Sequence, residues 1–253
     1  MDFSDKTVVV TGAGSGIGRG FAAGFCRDGA NVAGIARTAS DLEETARLCG
    51  TGKYHFVTGD ISRPEDVKRF FSETFQRYGK VDILVNNAAV SPRVAFLEST
   101  HEAWREVIEI NLMGMALCCR EALPGMLERG YGRIINLGSF AWKHPIANSS
   151  AYSASKGAVR AFTKALAAEI DRARYPDVLV NELMPGVAKT RMSDSGADPM
   201  SLYVHARFVA GLPRGGPTGE AFVQSTFHIE DYGLRARLKR LMARLAGQPA
   251  WKP

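Results

Sequence analysis

Cysteine is scarce in this sequence of 253 residues, and long apolar runs are missing. The four cysteines, Cys26, Cys49, Cys118 and Cys119, have no CxxC spacing, which argues against a disulfide framework and against a zinc site. No apolar run approaches the roughly 18 residues that cross a bilayer. The N-terminus is acidic and lacks the basic and apolar regions of a secretory signal. We therefore expect a cytoplasmic protein with buried thiols, no metal and no stable membrane association.

Signatures of hydrolases and of histidine-based metal sites are also absent. The sequence contains no G-x-S-x-G nucleophile elbow, and none of its five histidines lies within a helical turn of another. These absences exclude a hydrolase and a metal-dependent enzyme from the hypotheses.

Acidic residues are missing from one end of the chain. The net charge is +6, from 32 basic and 26 acidic residues, and residues 232–253 contain six basic residues and no acid. The rest of the chain is therefore balanced. A nucleic-acid surface spread over the fold would need basic residues elsewhere, so no nucleic-acid partner is expected.

Short β-branched runs alternate with amphipathic stretches along most of the chain. Strands are predicted at Thr7–Val10, Asn31–Ile35, Tyr54–Val57, Asp82–Val85, Arg133–Leu137 and Val178–Met184. Helices are predicted at Gly16–Asp28, Ala39–Leu48, Pro64–Tyr78 and Ala151–Arg172, and the capping box Ser99-x-x-Glu102 opens another. The alternation predicts an α/β fold of one domain, residues 1–253: a doubly wound parallel sheet with helices on both faces, in three layers.

Two segments interrupt this alternation. Residues 190–219 contain three prolines and five glycines, which predicts an irregular excursion rather than another crossover. Residues 227–253 form an atypical basic C-terminal extension whose leucines would share one helical face. A docked surface helix is the simplest interpretation of this extension. A lid, a contact for an acidic carrier protein and a transient membrane-surface helix stay open.

A glycine-rich loop, residues 11–18, joins the first predicted strand to the first predicted helix. Glycines there allow a tight turn and let a pyrophosphate approach the backbone N–H groups at the positive end of the helix. The spacing is Gly12-x3-Gly16-x-Gly18, which differs from GxGxxG and from a Walker loop. A loop that merely needs positive φ would look similar, but its position between strand and helix favours nucleotide binding.

Three side chains could carry acid–base chemistry near this loop. Tyr152 and Lys156 lie four residues apart at the start of a predicted helix, so they project from one face. An ammonium beside a phenol favours the phenolate, which would let Tyr152 carry a proton near neutral pH. Ser139 follows a predicted strand, and the carboxyl ends of parallel strands face the nucleotide crevice. Alone, the Tyr-x3-Lys pair would be an ordinary solvent-facing pair, but the three features together favour catalysis.

These motifs resemble the short-chain dehydrogenase/reductase family, in its common branch of about this chain length. The resemblance runs from Lys6 to about Thr190 and implies a Rossmann-like fold and an NAD(P)-dependent oxidoreductase acting on CH–OH or C=O groups. It is carried, in order, by Thr11-Gly12-x3-Gly16-x-Gly18, Asp60, Asn86-Asn87-Ala88-Ala89, Asn111, Ser139, Tyr152-x3-Lys156, and Pro185-Gly186 followed by Thr190.

The resemblance also implies a role for each of these residues. Tyr152 would be the general acid/base, and Lys156 its electrostatic partner and a ribose ligand. Ser139 would orient the carbonyl, and Asn111 would anchor a proton-relay water. The implied cofactor-binding residues are Gly12, Ser15, Gly16, Ile17, Gly18, Arg37, Asp60, Ile61, Asn87, Ala88, Tyr152, Lys156, Pro185, Gly186, Val187 and Thr190.

Two departures from the family pattern concern position 89 and the C-terminus. Ala89 stands where the family usually has glycine. Residues 227–253 match no part of the family's usual glycine-rich ending, whose final strand often builds a tetramer interface. We therefore expect a homodimer or a homotetramer, with the tetramer in doubt.

The end of the second predicted strand bears on the choice of cofactor. A carboxylate there would pair with the ribose diol and repel a 2′-phosphate, whereas an arginine would bind the phosphate. The sequence has Ala36 followed by Arg37, with Thr38 and Ser15 as further possible donors. NADP(H) is therefore favoured over NAD(H).

The residues expected around the substrate are mostly apolar or aromatic, which suggests a hydrophobic ketone, aldehyde or secondary alcohol. They are Ser139, Phe140, Trp142, His144, Met192 and Tyr203, with residues 190–219 as the substrate loop and Arg93 or Arg191 as possible acid-binding groups. One alternative is a 3-oxoacyl reductase that docks an acidic carrier protein through Arg129, Arg172, Arg174 or the basic extension. Another is a catalytically silent nucleotide-binding regulator.

Overall fold

The fold is described from a computed structural model that places residues 2–50, 52–190, 192–193, 195–224 and 226–228. Eight strands form one sheet in the order β3-β2-β1-β4-β5-β6-β7-β8. They are β1 Thr7–Thr11, β2 Asn31–Ala36, β3 Tyr54–Thr58, β4 Ile83–Asn86, β5 Gly132–Leu137, β6 Val178–Met184, β7 Ala221–Val223 and β8 Thr226–His228. The first seven strands are parallel, and β8 pairs antiparallel with β7 at the edge. The predicted Rossmann-like parallel sheet is confirmed.

Seven α-helices connect the strands within the part of the chain that the structure describes. They are α1 Gly16–Arg27, α2 Ala39–Cys49, α3 Pro64–Tyr78, α4 His101–Ile108, α5 Met115–Arg129, α6 Ser150–Glu169 and α7 Tyr203–Ala210. A π-turn, Glu109–Gly114, joins α4 to α5, and short 3₁₀ turns lie at Phe96–Glu98, Phe140–Trp142 and Pro199–Leu202. The strand order reverses between β1 and β4, and ligands of open parallel sheets bind at such a switch point.

Alternating side chains place a separate apolar core on each face of the sheet. Val8 and Val10 pack with residues of α1, α2 and α7, whereas Val9 packs with residues of α3, α5 and α6. Because both faces are covered, the central strands are buried along their whole length, as expected for parallel strands between two helical layers. Cys118 and Cys119 are buried in α5 as expected.

The segment 190–219 is not an irregular excursion. It contains α7, and because β6 and β7 are parallel neighbours, it is a crossover connection. The prolines mark the ends of this connection rather than its disruption: Pro199 opens the 3₁₀ turn before α7, and Pro213 follows the helix. The prediction of irregular structure was wrong because the prolines lie outside α7, whose buried residues follow helical spacing.

Two helix boundaries also differ from the predictions. The N-cap of α4 is Thr100, whose hydroxyl accepts a hydrogen bond from the Ala103 N–H at 3.2 Å, so the predicted capping box at Ser99 is one residue early. Ser99 instead donates to the Phe96 carbonyl and accepts from the Trp104 indole. The helix predicted to reach Arg172 ends at Glu169.

Within the described ranges, no helix is long and apolar enough to cross a membrane. Those ranges also contain no group of three or more His, Cys, Asp or Glu side chains that could hold a metal ion. The basic part of the C-terminal extension, residues 232–253, lies outside the described residues.

Candidate active site

The glycine loop lies at the switch point, between the end of β1 and the start of α1. Gly12 and Gly16 have φ values of 66° and 52°, in the left-handed region that favours glycine. A Cβ on Gly18 would lie 2.2 Å from the Gly12 carbonyl oxygen, so the loop also needs glycine for space. The Ser15 side chain at the N-cap accepts no hydrogen bond from the first turn of α1. The backbone donors of that turn are therefore suited to an anion such as a pyrophosphate.

The loop is fixed from its sheet side by Asn87. Its side-chain amide donates to the carbonyls of Thr11, at 2.9 Å, and Gly12, at 3.3 Å. In return the Thr11 hydroxyl accepts from the N–H groups of Asn87 and Ala88, at 3.0 and 3.1 Å. Asn87 and Ala88 thus lie beside the glycine loop as predicted cofactor residues should, and Thr11 is a positioning residue whose role the sequence analysis did not identify.

The other side of the loop is held by two side chains that sequence reasoning also missed. The Thr45 hydroxyl donates to the Ala13 carbonyl at 2.9 Å, and the Arg19 guanidinium donates to the Gly14 carbonyl at 3.0 Å. Arg19 also lies 3.8 Å from the Asp41 carboxylate. Arg19 directly follows the last glycine of the motif, and nothing in the local sequence indicates that its side chain would bind the backbone of the loop.

Asp60 and Ile61, two of the predicted cofactor residues, lie in the turn between β3 and α3. Ile61 is buried and would contact any side chain placed at Gly114, so it packs under the π-turn. The Asp60 N–H donates to the Asp66 carboxylate at 3.0 Å. This N–H, together with the Arg69 guanidinium, holds the pKa of Asp66 below its usual value. Asp66 therefore fixes the turn. The sequence feature that indicates this role is an acidic residue in the first turn of α3, six residues after Asp60.

The segment after β6 reaches back to the glycine loop. Gly186 has a φ of 97°, Val187 is exposed, and Pro185 is buried beside the end of the strand. The Thr190 methyl lies 3.0 Å from the position that a Cβ on Gly16 would take. A cleft of about 640 Å³ opens beside this contact, lined by Ser15, Gly16, Thr190 and residues of α2 and the segment 189–200.

The proposed catalytic groups meet near the end of β5. Lys156 is buried, its ammonium donates to the Leu137 carbonyl at 2.6 Å, and it lies 5.7 Å from the centre of the Tyr152 ring. Ser139 lies two residues after the end of β5, and its hydroxyl accepts from the Ala141 N–H at 3.1 Å. Because α6 begins at Ser150, Tyr152 lies in its first turn and Lys156 one turn later. Lys156 therefore connects Tyr152 to the backbone that leads into Ser139.

Asn111 lies in the π-turn and is completely buried. Its amide donates to the Val90 carbonyl at 2.9 Å and the Ser155 hydroxyl at 3.0 Å, and its oxygen accepts from the Val90 N–H at 2.8 Å. Both amide donors and one acceptor position are therefore occupied. The side chain joins the π-turn to α6 three residues beyond Tyr152.

The predicted substrate residues are only partly brought together. Phe140 packs against Met184 and Val223, and its ring lies 6.4 Å from the ring of His144, which is exposed. Trp142 lies over α6, where its Cβ is 3.7 Å from the position of a Cβ on Gly157. Met192 is exposed on the segment after Thr190, and its N–H donates to the Thr190 hydroxyl. Arg93 is exposed, and Arg191 lies outside the described residues.

Tyr203 is not a substrate residue. It is 3% exposed, its ring packs edge-on against Phe25 at 5.0 Å, and its hydroxyl donates to the Asp28 carboxylate at 3.0 Å, at the far end of α1. Burial, and then the Asp28 charge, raise the pKa of Tyr203. The prediction was wrong because an aromatic residue of α7 was assigned to a loop.

Comparison with known proteins agrees with this architecture. A family profile described as short chain dehydrogenase matches residues 6–200. A protein of Arabidopsis thaliana named 11-beta-hydroxysteroid dehydrogenase-like 2 is 34% identical, over 86% of this chain and 72% of its own length. L-fucose dehydrogenase of Oryctolagus cuniculus is 35% identical, over 89% of this chain and 79% of its own.

Similarity extends to solved structures. The 3-ketoacyl-(acyl-carrier-protein) reductase of Brucella melitensis, complexed with NADH, superposes with a TM-score of 0.80 at 30% identity, over 86% of this chain and 96% of its own. The match of the family profile, the parallel sheet and the glycine loop at the switch point lead to one assignment. The chain belongs to the short-chain dehydrogenase/reductase family, whose members are oxidoreductases that act on CH–OH or C=O groups with NAD(H) or NADP(H).

Proposed function

We propose that this protein is an NADP(H)-dependent carbonyl reductase that acts on apolar ketones or aldehydes, or on the corresponding secondary alcohols. The observation that carries the proposal is the buried Lys156 ammonium, which lies beside the Tyr152 ring and binds the backbone two residues before Ser139. A buried cation next to a phenol is suited to proton transfer at a reacting oxygen.

In the proposed reaction, the Ser139 hydroxyl donates a hydrogen bond to the substrate carbonyl oxygen. Tyr152 then donates its proton to that oxygen, and the Lys156 ammonium stabilises the phenolate that remains. When bound, the reduced nicotinamide supplies the hydride that adds to the carbonyl carbon. Asn111 holds the π-turn against α6, and one acceptor position of its side-chain oxygen remains for a relay water.

The glycine loop fits a dinucleotide. At Gly12, Gly16 and Gly18 any added Cβ would meet protein atoms within about 3 Å, and the first turn of α1 presents backbone donors to the cleft. The residues proposed to hold the cofactor are those that line this loop, the Asp60–Ile61 turn, the Asn87–Ala88 pair and the segment Pro185 to Thr190.

Preference for NADP(H) rests on the end of β2. Ala36 provides no carboxylate to repel a 2′-phosphate, and the Arg37 side chain is 59% exposed, with the Glu106 carboxylate 3.9 Å from it. Such an exposed pair is weak, so the guanidinium is free to turn towards a phosphate. We propose Arg37, with Thr38 and Ser15, as the 2′-phosphate site.

An apolar substrate is supported by exposed apolar side chains on the segments that follow β5 and β6. Ile146, Val187 and Met192 are 61%, 64% and 52% exposed, so their apolar surface is available to an apolar ligand. Phe140 adds an apolar contact directly after Ser139. We therefore propose that these four side chains surround the substrate, with residues 190–219 as the substrate loop of one domain that spans residues 1–253.

The first test is oxidation of NADPH and of NADH at 340 nm with a panel of apolar ketones, aldehydes and 3-oxoacyl thioesters. Removing the proton donor in Tyr152→Phe is expected to lower kcat by about 10²–10⁴-fold while cofactor affinity changes little. Tyr175→Phe, which alters an aromatic residue outside the site, is the matched control. A wild-type protein that binds NADPH but reduces no member of the panel would contradict the proposal.

Reduction of 3-oxoacyl groups on an acidic carrier protein is the second candidate, favoured by the similarity to the Brucella melitensis reductase. Two of the arginines considered for docking already bind backbone carbonyls: Arg129 that of Val81, and Arg172 those of Gly215 and Gly216. A carrier protein would therefore have to dock on other basic residues. If it does, reduction of the carrier-bound substrate should depend strongly on salt. Activity on free thioesters that salt leaves unchanged favours the first proposal.

Family members are commonly oligomeric, and we propose that this chain forms at least a homodimer through its long helices. Light scattering after size exclusion distinguishes a dimer from a tetramer or a monomer. A cytoplasmic location, expected from the N-terminal sequence, stays a prediction.

A further inference from the structure

Glu182 is a buried carboxylate close to the proposed active site, and the proposed reaction does not use it. It lies on β6 in register with Asn136 of β5 and is 0% exposed. Side chains alternate along a strand, so Glu182 faces the same helical layer as Val180. A carboxylate in such a position destabilises a fold unless it is paired, so its surroundings need an explanation.

One side of this carboxylate touches the backbone that leads into the proposed catalytic serine. A Cβ on Gly138 would lie 1.7 Å from Glu182 Oε1, so only glycine fits at this position. The Gly138 N–H donates to the Leu183 carbonyl at 2.9 Å, and the preceding Leu137 carbonyl accepts from Lys156. The end of β5 is therefore fixed by β6, by Glu182 and by the Lys156 ammonium together.

The other side of the carboxylate faces Arg160. The Arg160 guanidinium lies 3.5 Å from Glu182 Oε2 and donates to the Gly219 carbonyl at 3.1 Å. Arg160 is buried and lies one helical turn after Lys156, which is also buried. Like charges four residues apart on a helix repel each other, more strongly away from water. Glu182 supplies the negative charge that offsets Arg160.

We propose that Glu182 and Arg160 form a positioning pair for the reaction. The carboxylate balances the Arg160 charge and fills the space beside Gly138, so Lys156 stays on the Leu137 carbonyl and Ser139 keeps its place. Removing either charge takes the opposite charge away from a buried partner near Lys156. This inference rests on the proposed function, because it assigns the pair a role in the same site.

The test compares Glu182→Gln, Arg160→Gln and the double variant in the full chain. Both single variants are expected to lower kcat, counted per NADPH-binding site, by about tenfold or more, because small displacements of reacting groups are costly. Affinity for NADPH should change much less than kcat, since the glycine loop is untouched and only the contact of Lys156 with the ribose is affected. The double variant, which removes both charges, should recover most of the lost kcat.

A matched control separates positioning from simple stability. Arg133 is another buried arginine of the sheet, paired with Asp177 at 2.6 Å at the opposite end of β5. Asp177→Asn is expected to lower Tm without changing kcat per binding site. If Glu182→Gln behaves in the same way, with a lower Tm and an unchanged kcat, the proposal is overturned.

Two further measurements cover the cases in which turnover gives no answer. If Glu182→Gln does not fold, Glu182→Asp keeps the charge but withdraws the carboxylate from Gly138, and an unchanged kcat would again overturn the proposal. Hydrogen exchange at the Gly138 amide needs no substrate: faster exchange in the variants than in Asp177→Asn supports the positioning role, and equal exchange refutes it. A wild-type protein without carbonyl reduction would instead count against the proposed function.

Discussion

The two halves of the proposed cleft are held in different ways. The cofactor half is defined as residues 11–18, 37–38, 60–61, 87–88 and 185–190, and its glycine loop is held by side chains from other elements. Asn87 binds Thr11 and Gly12, Thr45 binds Ala13, and Arg19 binds Gly14. Each of these bonds joins a side chain to a loop carbonyl, so the loop is shaped before any ligand arrives.

The substrate half, defined as residues 140–149 and the described residues of 192–200, depends mostly on short-range bonds. The Ser149 hydroxyl donates to the Ile146 carbonyl, and the Met192 N–H donates to the Thr190 hydroxyl. One longer link joins the Val94 N–H to the carbonyl of Asn148, whose φ is 62°. Large apolar side chains are exposed along both segments.

This difference shows how one fold can keep its cofactor and change its substrate. The groups that define the nucleotide site are backbone atoms whose positions depend on distant residues, so most substitutions there disturb the fold as well. The substrate half presents side chains on loops, and loops tolerate replacement. Substitutions in the two halves should therefore separate cofactor affinity from substrate selection.

The largest effect on this comparison is expected from Gly18→Ala in the cofactor half. The new methyl group would lie 2.2 Å from the Gly12 carbonyl oxygen and 2.4 Å from the Asn87 amide, so the loop must move. We expect the dissociation constant for NADPH to rise by more than about tenfold and the stability to fall by about 1–3 kcal/mol. Fluorescence titration and thermal unfolding measure the two effects.

Gly125→Ala in α5 is the control, because the added methyl group there meets only the end of the flexible Arg129 side chain. Cofactor affinity should not change in this variant. Equal affinity for NADPH in Gly18→Ala and wild type would show that the cofactor half is less constrained than the hydrogen bonds indicate.

A smaller effect is expected from Arg37→Leu, which alters the cofactor half at its exposed margin. A charge-assisted hydrogen bond contributes about 1.5–3 kcal/mol, so kcat/KM for NADPH should fall by about ten- to a hundredfold. The value for NADH should stay the same, because NADH has no 2′-phosphate. Arg120→Leu, an exposed arginine of α5, is the control. A parallel loss with both cofactors would place the 2′-phosphate site elsewhere.

Local patterns predicted the glycine loop between β1 and α1, and long-range packing explains most of what they missed. The glycine loop and the Tyr152–Lys156 pair each lie within one short segment, so their spacing alone indicates their geometry. Glu182 and Arg160 are 22 residues apart in the sequence and meet only because α6 packs on β6. No local pattern could pair them, and none could show that Glu182 excludes a side chain at Gly138.

The errors have other origins: one concerned neighbouring residues with similar propensities, and the other the helical periodicity within residues 190–219. Ser99 and Thr100 are both good N-cap residues, and the backbone of the loop decides between them. Tyr203 was assigned to the substrate because residues 190–219 were expected to be irregular. The buried positions Tyr203, Ala206 and Ala210 do follow helical spacing, so closer attention to periodicity would have predicted α7.

Ile146→Ala sharpens the comparison from the substrate half. The substitution removes a few carbon groups that a bound substrate would cover. Each buried methylene group contributes about 0.8 kcal/mol, so KM for bulky apolar carbonyls should rise several-fold. The dissociation constant for NADPH should not change, because residue 146 lies outside the cofactor half. Leu97→Ala, which is 95% exposed, is the control. An equal change in KM for both variants would remove Ile146 from the substrate half.

The smallest effect is expected from Asp66→Asn, which weakens the support of the Asp60–Ile61 turn. The Asp60 N–H and Arg69 lower the pKa of Asp66 in the folded protein, so the ionised carboxylate stabilises the fold above the usual value of 3.8. This contribution is lost as the pH falls through the lowered pKa. The variant should therefore unfold at a slightly lower temperature than wild type at pH 7, and the difference should vanish in acid. A difference in Tm that persists at the most acidic pH at which the fold survives would mean that Asp66 acts through its shape rather than through its charge.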